Sequence, residues 1–166
     1  NREAEGVYFA VDYLSGVTKG LLGDKLPENA QLNAKDKNII IVGGGDTGND
    51  CVATAIRQGA KSIVQLERWP KPPTERTADN AWPKWPRVLK TDYGQEEAIA
   101  LYGHDPRLFQ TTIKRLITDE NNHLTAAETV RLEPYIDPVN GVRDMKEIPG
   151  SEEILPCEMI LIAAGF

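Results

Sequence analysis

The fold of this chain is decided by residues 39–48, Ile-Ile-Ile-Val-Gly-Gly-Gly-Asp-Thr-Gly. Four apolar residues predict a buried strand, and the pattern Gly43-x-Gly45-x-x-Gly48 leads directly into a segment with helical periodicity. A glycine turn between a strand and a helix brings backbone N–H groups to a pyrophosphate, whose charge is stabilised at the helix N-terminus. We expect Gly43 to allow the turn, Gly45 to leave room for the phosphates, and Gly48 to let the helix lie close to the sheet.

The residues after the glycines support this interpretation, which a glycine pattern alone would not justify in a chain with 14 glycines. Asp46 is placed to cap a helix that ends at Gly59, and the small apolar residues between them recur at helical spacing. Residues 62–66 then predict a second parallel strand, so residues 39–66 predict one β-α-β unit. The alternative is a glycine turn in an α/β domain that binds no ligand.

The second strand ends in Glu67 and Arg68, 22 residues after Gly45, where such folds contact the adenosine ribose. A carboxylate there accepts hydrogen bonds from the ribose hydroxyls and favours NADH or FAD, whereas an arginine accommodates the 2′-phosphate of NADPH. A charge-assisted bond to a phosphate contributes about 1.5–3 kcal/mol, so an arginine assisted by Lys71 or Arg76 would outweigh a glutamate that turns into water. The alternative is a solvated strand end with no cofactor role.

The composition is that of a globular domain with one core, since the 166 residues are 40% hydrophobic and 27% charged. A net charge of −6 argues against a nucleic-acid partner, because phosphate backbones bind to basic faces. No apolar run has the length of a membrane span and no signal-peptide pattern is present, so we expect a cytoplasmic protein without a membrane partner. Because the chain begins at Asn1 and stops at Phe166, directly after an apolar run, we expect a fragment of a longer protein.

The chain offers no predicted metal site and no predicted catalytic side chain. Cys51 and Cys157 are too few and too far apart for a metal or iron–sulfur motif, so we expect both to be buried packing residues. His104 and His123 lie in turn-like contexts without a second ligand at metal spacing.

The remaining segments predict how the domain is completed. Residues 6–14 have apolar side chains at helical spacing and predict a short amphipathic helix, followed by a polar linker over residues 15–37. Residues 69–86 hold all three tryptophans and five prolines and predict an ordered loop. That loop either covers the adenosine end of the cofactor, docks a neighbouring domain, or packs on its own domain.

A helix and several strands are predicted after this loop. Asp92-x-x-Gln95 predicts a capping box for a helix that Gly103 ends. The strands expected to form an antiparallel β-meander are residues 109–117, 129–136 and 145–155. Residues 159–165 are apolar on both faces, so they predict a parallel strand beside the first one, with its glycine at the ligand-binding edge.

Together these elements predict an α/β, Rossmann-like dinucleotide-binding domain with a parallel sheet, flanking helices and an antiparallel β-meander. Residues 1–37 are assigned to an N-terminal helix and linker, and residues 38–166 to the NAD(P)H-binding domain.

Seven motifs spread over nearly the whole chain carry a more specific resemblance. They are Gly43-Gly-Gly-Asp-Thr-Gly-Asn-Asp50, Gly59-Ala-Lys-Ser62, Lys71-Pro-Pro73, Arg76-Thr-Ala-Asp-Asn80, Trp85-Pro-Arg87, Thr91-Asp-Tyr-Gly-Gln-Glu-Glu-Ala98 and Met159 to Phe166. These motifs resemble the small-subunit region of glutamate synthase, which occurs as the β subunit of the bacterial enzyme and at the C-terminus of the single-chain form. Glu158 departs from the family, which more often has aspartate there.

The resemblance implies an NAD(P)H-binding domain inserted in an FAD-binding domain whose segments lie outside this sequence. NADPH, or NADH, would pass hydride to FAD on the neighbouring domain of the same chain. Electrons would continue through iron–sulfur clusters to FMN in the large subunit or amidotransferase region, where glutamine and 2-oxoglutarate yield glutamate for nitrogen assimilation. Hydride transfer depends on positioning the two rings, so no catalytic side chain is implied here and the isolated chain is expected to be inactive.

Eleven residues are predicted to bind the cofactor. Those matched to the family's phosphate loop are Gly43, Gly44, Gly45, Asp46, Thr47 and Gly48; those at the ribose end are Glu67, Arg68 and Arg76; and those facing the cofactor by their backbone are Ala164 and Gly165. Two other functions remain open: an FAD or NADH site of another pyridine nucleotide-disulfide-type oxidoreductase, and a non-catalytic docking module. The 38 residues before Ile39 oppose an FAD site, and an intact Gly45 opposes loss of nucleotide binding.

Overall fold

The glycine-rich stretch joins a central strand to a helix in the computed structural model of the protein, which describes residues 2–23, 32–139 and 141–165. In chain order the elements are β1 (Val7–Phe9), α1 (Ala10–Leu21), β2 (Asn38–Val42), α2 (Asp46–Arg57), β3 (Ser62–Glu67), α3 (Tyr93–Tyr102), β4 (Arg107–Phe109), β5 (Thr111–Thr118), β6 (Leu124–Ile136), β7 (Arg143–Glu147), β8 (Glu153–Pro156) and β9 (Met159–Ile162). A short 3₁₀ turn, Ala78–Asn80, lies between β3 and α3.

Five strands form a parallel sheet in the order β1-β9-β2-β3-β4. The last strand is therefore inserted beside β2, where Ile160 is paired with Ile40, as its two-sided apolar pattern predicts. Both central strands are almost completely buried, because helices cover one face of the sheet and the meander covers the other. The carboxyl ends of β2, β3 and β9 meet at one edge, and this edge positions the candidate site.

Three layers build the molecule, and the alternation of side chains along β2 assigns each residue to a layer. Ile39 and Ile41 pack with α1, α2 and α3 in one apolar cluster. Ile40 points the other way and packs with residues of the antiparallel strands β5, β6 and β8. Successive side chains of a strand face opposite sides, so one three-residue run of isoleucine supplies both cores.

The meander is built on β6, which pairs with β5, β7 and β8, all antiparallel. The sequence predicted one strand over 109–117, but Gln110 adopts a φ of 52° and divides it into β4, in the parallel sheet, and β5, in the meander. Residues 145–155 likewise hold parts of two strands, β7 and β8. Apolar periodicity does not show where a chain leaves one sheet for another, which is why both boundaries were wrong.

The N-terminal segment also differs from its prediction. Residues 7–9 form an edge strand paired with β9 instead of the first turn of a helix, and the helix α1 runs from Ala10 to Leu21. Ala10 and Tyr13 are buried in the helix-side core, so this segment packs directly on the parallel sheet. Part of the predicted linker, residues 24–31, lies outside the described residues.

The helix ends follow their local signals closely. Asp92 and Gln95 form the predicted capping box of α3, and Gly103 ends that helix with a φ of 79°. At α2 the N-cap residue is Gly45, and Asp46 is the first helical residue without a side-chain capping bond. The prediction that Asp46 is the cap was therefore wrong by one position, although an acid in the first turn still complements the helix dipole. No helix of the described residues combines the length and apolarity needed to span a membrane.

Candidate functional site

A cleft of about 960 Å³ opens at the carboxyl edge of the parallel sheet. Its walls are the ends of β2, β3 and β9, the start of α1, and Thr111 and Thr112 at the start of β5. This volume is at the upper end of the roughly 300–1,000 Å³ that is usual for small-molecule sites. Its position, where parallel strands point their carboxyl ends at a helix N-terminus, is where open α/β sheets bind ligands.

The three glycines of the motif differ in what surrounds them. Gly43 has a φ of 123°, and a Cβ there would overlap the carbonyl oxygen of Ala163, the residue after β9. A Cβ on Gly48 would overlap the carbonyl oxygen of Gly43, so α2 lies against the strand end. Gly45 differs, since a Cβ there has no protein atom within 4 Å. Gly43 and Gly48 are thus explained by packing, and Gly45 leaves space in the cleft.

Gly44 is explained by the side chain of Glu67. A Cβ on Gly44 would overlap Oε2 of that carboxylate, while the backbone N–H of Trp69 donates to Oε1 at 3.0 Å. The carboxylate is therefore held between the glycine loop and the chain after β3. Glu67 lines the cleft in this structure, and its role at the ribose stays a prediction.

Arg68 lines the same cleft but is bound at its outer end. Its Nη2 forms an ion pair with Asp144 on β7 and donates to the carbonyl oxygen of Met145 at 3.3 Å. The backbone N–H of Met145 and this guanidinium hold the pKa of Asp144 below its ordinary value, so the carboxylate is charged at neutral pH. The guanidinium is thus shared between the cleft and the meander.

Nine of the eleven predicted site residues line the cleft, and Gly48 and Arg76 do not. Gly48 lies beneath the loop, where it permits the close packing described above. Arg76 requires a correction, because its Nη1 donates to the backbone carbonyls of Asn80 at 3.0 Å and Lys84 at 2.8 Å within its own loop. The cofactor-binding roles of the nine residues stay predictions.

The loop over residues 69–86 is cross-linked by polar side chains. Besides Arg76, Asn80 donates from Nδ2 to the carbonyl oxygen of Trp85 and accepts the backbone N–H of Arg87. Trp69 lines the cleft, but Trp82 and Trp85 are 82% and 87% exposed. Hydrogen bonds thus join distant parts of this loop, and two of its three tryptophans are largely in solvent.

Sequence reasoning missed a buried polar chain that supports the glycine loop. Gln65 on β3 donates from Nε2 to the carbonyl oxygen of Gly43 at 2.9 Å and accepts from Nε2 of Gln95 at 3.1 Å. Asn49 on α2 accepts the backbone N–H groups of Gly94 and Gln95 with its Oδ1. Gln65, Gln95 and Asn49 are all buried, so each partner satisfies a group that would otherwise be costly to bury. The signal available in the sequence was one amide inside the apolar strand at residues 62–66.

Both cysteines are buried packing residues, as expected. Burial raises the pKa of each thiol to about 12, with smaller contributions from Asp50 for Cys51 and from Glu158 for Cys157. A thiolate is the reactive form, so neither thiol should react with a disulfide reagent in the folded protein at pH 8. We expect full labelling of both only after denaturation in guanidinium, and rapid labelling of the native chain would contradict this structure.

Comparison with known proteins identifies relatives of this chain. No protein-family model matches the chain. It is 43% identical over 166 residues to glutamate synthase [NADH] of Schizosaccharomyces pombe and 41% identical over 165 residues to the glutamate synthase [NADPH] small chain of Bacillus subtilis. The chain is homologous to a segment of glutamate synthase. It spans 8% of the length of the first relative and 33% of the second, and both relatives are oxidoreductases.

The fold of this chain is shared with a solved oxidoreductase. All of the chain aligns with 46% of FprA from Mycobacterium tuberculosis in complex with NADPH, with a TM-score of 0.61 at 13% identity. The likeness confirms the predicted α/β fold with a parallel sheet and an antiparallel meander. At this level of identity it shows the fold alone.

Proposed function

We propose that this glutamate synthase segment binds a reduced nicotinamide dinucleotide, NADPH or NADH, and presents it to FAD on a neighbouring domain. The observation that carries the proposal is the open space above Gly45 at the N-terminus of α2. The first backbone N–H groups of a helix have no partner within the helix, and the helix dipole favours an anion there. A pyrophosphate placed over Gly45 would therefore satisfy these groups without displacing any side chain.

The other parts of the cleft fit the remaining parts of a dinucleotide. Glu67, held at the end of β3, is placed to accept hydrogen bonds from ribose hydroxyls. Ala164 and Gly165, just after β9, and the start of α1 line the other half of the cleft with backbone and apolar groups and with the carboxylate of Asp12. The backbone and apolar parts of this wall would orient a flat ring by contact.

The nicotinamide and flavin rings would supply the hydride chemistry, and the residues of this chain would hold the dinucleotide in register with the flavin. In the larger protein, the electrons would serve the reductive synthesis of glutamate from glutamine and 2-oxoglutarate. The FAD-binding domain and the large subunit or amidotransferase region are the partners in this proposal. Two observations support this proposal. The relatives are named glutamate synthases, and this chain matches only part of each, which leaves room for further domains in the larger proteins.

A second candidate, a docking module, is favoured by one observation. Trp82 and Trp85 are mostly exposed on a cross-linked loop, and large aromatic side chains on a surface are typical of binding patches. Docking by this loop is compatible with nucleotide binding in the cleft. Only a cleft that binds no nucleotide would therefore favour docking over the first candidate function.

Titration calorimetry of the chain with NAD⁺, NADP⁺ and FAD in separate experiments tests the proposal. We expect at least one nicotinamide dinucleotide to bind with 1:1 stoichiometry and more tightly than FAD. Affinity should fall as salt is raised, because the pyrophosphate contributes through its charge. Tighter binding of FAD would indicate a flavin site, and no binding of any dinucleotide would favour the docking module.

A further inference from the structure

We propose that Asp144 is a specificity-determining residue, which holds Arg68 in an ion pair and thereby makes the cleft select NADH over NADPH. The inference rests on the proposed function, since it concerns the ribose end of the same cleft. It assigns a role to a residue of the antiparallel meander that contacts the cofactor site only through another side chain.

The charge of the cleft opposes a 2′-phosphate. Among the described residues that line it, Arg68 is the only cation, against the three carboxylates of Asp12, Asp46 and Glu67. Asp144 adds a fourth carboxylate at the rim, in direct contact with that cation. A phosphate monoester would bring a charge of about −1.5 to −2 into this group, whereas free ribose hydroxyls bring none.

Asp144 has further contacts that place its carboxylate beside Arg68. Its Oδ1 accepts the backbone N–H of Met145 at 2.7 Å, and its backbone is paired with Tyr135 in the β6–β7 ladder. Arg68 also donates to the carbonyl oxygen of Met145. To reach a 2′-phosphate with Nη2, the guanidinium would have to leave both acceptors on β7.

Three further cations on the segment that follows β3 are engaged elsewhere. Lys71 lies over the ring of Phe109 at 5.9 Å, Arg76 donates to two backbone carbonyls, and Lys90 pairs with Asp92 at 3.0 Å. None of these three lines the cleft. In the structure, Lys71 and Arg76 are thus not placed to help Arg68 bind a 2′-phosphate, contrary to what the sequence had suggested.

Glu67 also favours a ribose that carries no 2′-phosphate. Its carboxylate is fixed by the backbone N–H of Trp69 and by contact with Gly44, and it retains free acceptor positions. A vicinal diol can donate two hydrogen bonds to one carboxylate, and a 2′-phosphate would replace one donor with a like charge. Both ends of the ribose subsite therefore favour an unphosphorylated ribose.

The test compares the wild-type chain with Asp144→Asn by calorimetric titration of NAD⁺, NADP⁺ and 2′,5′-ADP. We expect wild type to bind NAD⁺ at least about tenfold more tightly than NADP⁺, which corresponds to about 1.4 kcal/mol. Asp144→Asn removes the charge and keeps an acceptor for Met145, so NADP⁺ and 2′,5′-ADP should tighten about tenfold while NAD⁺ changes less than about twofold. Adding Arg68→Met to Asp144→Asn should abolish that gain.

The matched control is Glu133→Gln, which breaks an ion pair with Lys146 on the same β6–β7 ribbon and does not touch Arg68. It should leave the ratio of the two affinities unchanged. A wild type that prefers NADP⁺, or a ratio that Asp144→Asn does not move, would overturn the inference while the proposed function stands. If no dinucleotide binds to wild type, both the proposed function and this inference are overturned.

Discussion

Replacement of Gly45 with leucine is expected to abolish dinucleotide binding and to leave the fold intact. Gly45 has φ −80° and ψ −174°, a conformation that any residue adopts, and its Cβ position has no protein neighbour within 4 Å. The leucine side chain would instead occupy the space over the N-terminus of α2. We expect affinity for the preferred dinucleotide to fall at least about 100-fold, or about 2.7 kcal/mol, in calorimetric titration.

The control for this substitution is Gly20→Leu, near the end of α1, where a Cβ also meets nothing within 4 Å. Gly20 does not line the cleft, so this variant should bind like wild type. The free energy of unfolding of both variants in urea should lie within about 1 kcal/mol of wild type. Neither variant introduces a clash, and substitutions at helix ends typically change the free energy of unfolding by about this amount. Unchanged affinity in Gly45→Leu would show that the pyrophosphate does not lie over this glycine.

Replacement of Gly94 with alanine should have the largest effect on stability. A Cβ on Gly94 would overlap the carbonyl oxygen of Asn49, and it would stand 2.8 Å from the Asn49 Oδ1 and 3.1 Å from the Ala53 backbone nitrogen. The methyl group would push α3 away from α2 and weaken two buried hydrogen bonds to Asn49. Overpacking costs about 1–3 kcal/mol and each unpaired buried group about 1–3 kcal/mol, so we expect a loss of about 3 kcal/mol in urea denaturation.

Gly20→Ala is the matched control, since it makes the same change in a helix without any close neighbour. Alanine has the higher helix propensity, so this variant should be as stable as wild type or more stable by up to about 1 kcal/mol. The Gly94 variant should also bind dinucleotide less tightly, because Gln95 supports Gln65 and, through it, the Gly43 carbonyl. A Gly94→Ala chain that unfolds like wild type would contradict the close packing of α2 on α3.

The exposed tryptophans and the buried amides show two limits of sequence-based prediction. Trp82 and Trp85 are exposed, and hydrogen bonds of Arg76 and Asn80 hold their loop together instead of its aromatic residues. Gln65 is a polar residue in a buried strand, and its partner Gln95 is 30 residues away. No short-range pattern specifies either outcome, since each depends on which groups meet after folding.

Local signals, in contrast, predicted local structure well. The glycine motif specified a strand, a turn and a helix, because the conformations that glycine allows and the packing it permits act within a few residues. The capping box at Asp92 and Gln95 acts over four residues, and it was confirmed. The position of β9 beside β2 was also predicted, because a strand that is apolar on both faces is stable only inside a sheet.

By itself, the sequence determined the fold class, the β-α-β unit and the location of a cleft over Gly45. Only the tertiary structure decided how the ribose end of that cleft is charged. Arg68 is adjacent to Glu67 in the chain, but its ion-pair partner, Asp144, lies 76 residues further on, on β7 of the meander. Charged side chains are long and pair with whatever folding brings near them, so their partners depend on the packing of separate layers, whereas turns and strands depend on neighbours in the chain.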